Sequence, residues 1–186
     1  MSFTFGFIMP VVPLFLQELA GSDHGSIVSL AGVIFAISGL VGAVSSAVMG
    51  RFSDTVGPKR VLVWGLVAAG IFYCAQGYAQ TVMTLGILLV FSGIATGAIR
   101  PVANALVARI IDEADRGKAF GIMTSAAALG WAAGPLGGSW VGATWGLRSV
   151  FFVTAGLFLL VGLWVWRAMD EPASASGHRF PQMLRT

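Results

Sequence analysis

The 186-residue chain has one cysteine, two histidines and eight carboxylates, and each shortage removes a class of function. The lone thiol, Cys74, has no intramolecular disulfide partner and sits inside an apolar run, where it reads as a small packing residue. His24 lies in a connecting segment and His178 in the tail, so they supply neither a metal constellation nor an intramembrane Ser/His pair. Ser38-Gly39 and Ser92-Gly93 superficially resemble intramembrane serine protease motifs, but neither has a helix-borne histidine to activate it. There is no Gly-rich phosphate loop, so the chain itself cannot drive a process with ATP. These absences leave no ground for a metal, a cofactor or catalysis. The net charge of +3 is spread along the chain rather than gathered into a nucleic-acid-binding patch.

Charge is scarce as well. Charged residues make up 10% of the chain and hydrophobic ones 56%, a balance that fits no ordinary soluble domain. The apolar residues fall into six runs, 3–19, 27–49, 61–78, 82–107, 119–141 and 150–166. A hydrocarbon core of roughly 30 Å needs about 20 apolar residues per helix. A membrane barrel would instead show alternating segments of about ten residues. The expected architecture is an all-α membrane bundle over residues 1–170, followed by a polar tail, 171–186.

Basic residues orient it. Arg51, Lys59 and Arg60 lie between runs two and three, and Arg109, Arg116 and Lys118 between runs four and five. Arg167, Arg179 and Arg185 follow run six. These are nine of the eleven, leaving Arg148 on the other side and Arg100 inside run four. The positive-inside rule therefore places both termini in the cytoplasm of a cell (inner or plasma) membrane. Met1 is followed almost at once by an apolar run with no basic lead-in, so a cleaved signal peptide is not expected. Tryptophans 64, 140, 145, 164 and 166 fall near predicted helix ends, where such rings favour the interface. Trp131 sits mid-helix, facing either lipid or a cavity.

Three patterns carry more than topology. Polar residues 51–60 and the preceding glycine form a loop in which Gly50 is followed four residues on by Asp54, three further by Gly57, and then by the basic pair Lys59 and Arg60. Gly57-Pro58 supplies the reversal, and Asp54 suits basic neighbours or a helix N-terminus. Gly130, Gly134 and Gly138 recur every four residues, with Pro135 and Gly137 among them. They form one face that lets another helix approach closely, and Pro135 bends that helix. Prolines also interrupt run one, at Pro10 and Pro13, and run four, at Pro101.

The 50–62 segment resembles the signature loop of the major facilitator superfamily, with Pro58 where a basic residue is commoner. The glycine-rich segment 130–138 looks like the antiporter motif of drug/proton antiporters in that superfamily. The resemblance implies one six-helix half of a twelve-helix transporter, built as two inverted three-helix repeats. Such a half works by alternating access around a midplane cavity lined by helices one, two, four and five. It also implies that the glycine face of helix five meets a helix of the opposite half. Interrupted helices at matching positions of two repeats point to the transport site.

The family's first half often carries an arginine four residues before a glycine in helix four. Here the glycine is Gly93 and the arginine position is Leu89. With the abrupt start and the polar tail, this favours the second half. Arg100, a charge within a span, either faces protein or water inside the bundle or snorkels to the interface. Asn104 is one turn on, Gln17 and Glu18 end helix one on the outer side, and these join Trp131 as cavity candidates. The expected function is efflux of a small molecule, with proton coupling open, between a lipid bilayer and a second six-helix half. Rival readings are a self-sufficient homodimer of halves and a non-transporting scaffold or fragment.

Overall fold

The computed structural model describes residues 2–20 and 24–168, all in helices or the short turns between them. The polar tail 171–186 lies outside the described residues. Eight α-helices occur in order: α1 (Ser2–Ile8), α2 (Val11–Ala20), α3 (His24–Val56), α4 (Pro58–Gly77), α5 (Val82–Gly97), α6 (Ile99–Ile110), α7 (Arg116–Trp145) and α8 (Leu147–Ala168). They make six spans, because α1 and α2 are one apolar segment broken at Met9-Pro10, and α5 and α6 are one broken at Ala98. Five spans are long and apolar enough to cross a membrane. The first, Gly6–Glu18, is shorter.

Proline explains the second break. Pro101 has no N–H to give the Gly97 carbonyl, and its ring crowds that oxygen, so the ladder restarts with Val102 N–H bonding Ala98 O at 3.2 Å. In the first span the turn falls at Met9-Pro10, while Pro13 is accepted within the first turn of α2. Pro135, expected to bend its helix, lies inside α7, which runs on without a break.

The expected loop 51–60 is mostly helix. Helix α3 continues through Val56, with the Ser53 and Thr55 hydroxyls bonded back to the Gly50 and Phe52 carbonyls. Polar side chains leaving the hydrocarbon do not end a helix; a residue that cannot continue it does. Gly57, at φ +105°, makes the whole turn, and Pro58 opens α4. At the opposite end of α4, Thr81 caps α5 by accepting the Thr84 N–H at 3.1 Å.

The strongest pairings are α4 on α8, α1 on α7, and α3 on α5. In span numbers these are three with six, one with five, and two with four. A two-fold axis exchanging spans one to three with four to six generates that pattern, since it swaps the last two pairs and maps the first onto itself. The bundle is thus two inverted three-helix repeats.

The centre is apolar and close-packed. Phe15, Phe151 and Phe158 are fully buried, with Phe15 tilted on Phe151 at 5.2 Å and Tyr73 stacked on Phe158 at 5.3 Å. The Arg148 guanidinium lies 5.5 Å over the Phe15 ring and closes that cluster where α8 begins.

Candidate functional site: a cavity at the two helix breaks

Both symmetry-related crossings are made backbone to backbone. On α3 and α5, a Cβ built on Gly93 would stand 2.7 Å from the Ser38 carbonyl oxygen, and one on Gly97 would overlap the Gly42 carbonyl oxygen. On α1 and α7, a Cβ on Gly138 would overlap the Phe7 carbonyl oxygen, and one on Gly6 would sit 3.3 Å from Gly134 Cα. The Gly130/Gly134/Gly138 face therefore packs on α1 of the same chain. This corrects the expectation that it meets a helix of an opposite half. Four-residue glycine spacing reports how near a neighbour comes and carries no information about which neighbour it is.

Between these crossings lies a cavity of about 500 Å³. Both breaks open onto it, Ile8 and Met9 from the first and Gly97, Ile99, Arg100 and Pro101 from the second. Helix α3 contributes Phe35, Ser38, Gly39, Gly42 and Ser46. Helix α5 contributes Leu89, Ser92, Gly93 and Thr96, while α4 and α7 add one aromatic ring each, Tyr73 and Trp131. Span six does not reach it, but span three, expected outside, does so through Tyr73.

Of the five cavity candidates, Arg100 and Trp131 line the space, whereas Asn104, Gln17 and Glu18 do not. The signature positions lie away from it, at the α3–α4 turn. Gly50 is in α3 with open space beside it, Asp54 is in the last turn of that helix, and Lys59 and Arg60 are in the first turn of α4. The Asp54 side chain is outside the described residues.

Apart from Arg100, the polar residues of the cavity were not recognised as its lining from the sequence. Ser92 Oγ donates to Leu89 O at 2.9 Å and accepts from Gln76 Nε2 at 3.1 Å; the same amide nitrogen reaches Leu88 O at 3.2 Å. Thr96 Oγ1 donates to Ser92 O at 2.7 Å. Ser45, just behind the wall, ties α3 to α5 through Ile94 O at 2.7 Å. Their spacing was readable, since Ser38, Gly42 and Ser46 on α3, and Leu89, Ser92, Thr96 on α5, recur at three and four residues along one face.

Among the described residues the lining holds one formal charge, Arg100, and no carboxylate, and no cluster of metal-ligating side chains exists. The arrangement offers a mostly apolar space with a few hydroxyls and a cation, the makeup of a small-molecule site.

Comparison with known proteins agrees. The chain is 30% identical over 178 residues to the multidrug resistance protein MdtG of Escherichia coli O1:K1 / APEC, and equally to that of Escherichia coli strain K12 / DH10B. Each alignment covers 96% of this chain and 42% of the relative, so the chain spans less than half the length of the curated relatives it matches. The family profile described as Major Facilitator Superfamily matches residues 1–182. Inverted repeats, paired broken spans and this end-to-end match together make it a multi-pass membrane protein of a transporter family, not an enzyme family: the chain belongs to the major facilitator superfamily.

Proposed function

We propose that this chain is one six-helix half of a secondary transporter that exports a small molecule by alternating access. The observation that carries the reading is the cavity itself, placed where the breaks of two symmetry-related spans converge. A broken span can change its tilt on either side of the break, which suits a wall that must open to alternate sides. The relatives' name, multidrug resistance protein, makes drug-like compounds the substrate class to test first.

A second half, from the same polypeptide or another copy, completes the path. In its support, α3 and α7 expose large apolar side chains along their length, Val33, Leu40 and Val48 on one and Ile122, Leu129 and Leu136 on the other. Leu89 at the family's arginine position supports the second half of the transporter as the identity of this one. The basic α3–α4 and α6–α7 connections and both termini then lie in the cytoplasm, and Gly50, Asp54, Gly57, Lys59 and Arg60 act there as a hinge between access states.

The test is efflux of a fluorescent dye from pump-deficient cells expressing the full natural reading frame. Gly39 lines the cavity and has open space beside it. Gly39→Trp should therefore abolish efflux while leaving the membrane level of protein unchanged. Undiminished efflux in that variant would remove the cavity from the transport path. Transport by the purified 186-residue chain alone would replace the second half with a second copy.

A further inference from the structure

The lining is electrostatically one-sided. Among the described residues that form it, Arg100 is the only ionised group and none is Asp or Glu. Arg100 is an exposed residue of that lining, whose other members are apolar, aromatic and hydroxyl-bearing. Ser38 Oγ is buried without a hydrogen-bond partner among the described residues.

We propose that this wall of the cavity selects amphipathic anions, with Arg100 paired to the anionic group and Phe35, Trp131 and Leu89 against the apolar body. The inference rests on the cavity being a substrate site. The rings pull the other way, since a desolvated cation over an aromatic face gains on the order of thirtyfold in affinity. A guanidinium about 6 Å away at an effective dielectric constant near 20 shifts an anion and a cation in opposite directions, each by roughly a hundredfold before desolvation. The sign of the selectivity therefore follows Arg100.

Two probes of the same size and shape, tetraphenylborate and tetraphenylphosphonium, isolate that sign. Equilibrium binding of each to the purified full chain in nanodiscs, with empty nanodiscs subtracted, should show the borate bound at least tenfold more tightly. Arg100→Gln should bring the two within about threefold, and Arg100→Lys should keep most of the preference. Arg167→Gln, the same charge change at the end of α8 outside the cavity lining, should leave it intact. Equal affinities in the wild type, tighter phosphonium binding, no binding of either probe, or a preference that survives Arg100→Gln would each overturn the proposal. No gradient or second half enters the measurement, so a failure of transport leaves it readable. A chain that transports but does not discriminate between the probes loses this inference alone.

Discussion

Helices α4 and α3 are both apolar membrane spans, α3 the more apolar of the two, yet 44% of the α4 span is buried inside the chain against 6% of the α3 span. Their symmetry mates repeat the contrast: α8 is 39% buried and α7, like α3, 6%. Hydropathy puts a helix into the bilayer and says nothing about its burial there, because lipid tails are as apolar as leucine. What distinguishes the two pairs is how they make contact. Helices α4 and α8 interlock along their length, with Leu66, Tyr73, Phe151 and Phe158 buried and glycines 70, 77 and 162 receiving side chains from the other helix. Helices α3 and α7 touch the bundle along a narrow glycine seam and leave the rest of their circumference open. The first pair is the bundle's body; the second presents a cavity wall on one side and an unfilled face on the other.

The sharpest way to break that contrast is to widen the seam. Gly97→Val and Gly138→Val each drive a side chain into a carbonyl of the facing helix, an intrusion that backbone cannot relieve by changing rotamer. Each should cost more than about 3 kcal/mol and abolish the monodisperse peak in size-exclusion chromatography. Gly156→Val on α8, where a Cβ meets open space, should elute like the wild type.

Next in size is the body itself. Phe158→Ala should cost about 3 kcal/mol in unfolding by mixed micelles, since the ring is buried and stacked on Tyr73. Leu40→Ala on the open face of α3 should change the purified chain by less than about 0.5 kcal/mol. Gly57→Ala comes third: its φ of +105° is hostile to a Cβ, and about 1 kcal/mol should be lost without any lost contact. Ser45→Ala, which removes one hydrogen bond across the α3–α5 seam, should cost about 0.6 kcal/mol, typical of a polar contact between membrane helices.

Much of this was legible in the sequence. Apolar run lengths gave the six spans, the prolines at 10 and 101 gave the two breaks, and the loop and antiporter patterns gave the superfamily. The helix ends were read less well, because polarity at 51–56 was mistaken for a loop when only Gly57-Pro58 interrupts the backbone. The partner of the Gly130/Gly134/Gly138 face could not be read, since spacing encodes distance of approach and tertiary pairing is a property of the whole bundle. Ser38, Ser46, Ser92 and Thr96 were visible as a stripe of small polar residues, but hydroxyls in a membrane helix satisfy themselves on their own backbone so often that the stripe alone is silent. Arg100 stood out by its rarity, and the fold sets it in the cavity lining as an exposed residue.

The central claim is that the open faces of α3 and α7 are covered by a second six-helix unit while those of α4 and α8 meet lipid. Four mid-span residues are comparably exposed in the isolated chain: Leu40 at 68%, Leu136 at 75%, Ile71 at 59% and Leu160 at 64%. Spin labels at these positions, one at a time with Cys74→Ala, in protein expressed from its full natural reading frame and held in lipid nanodiscs, would report collisions with dissolved oxygen. Labels at 40 and 136 should collide several-fold less often than those at 71 and 160; equal accessibility at all four would contradict the account.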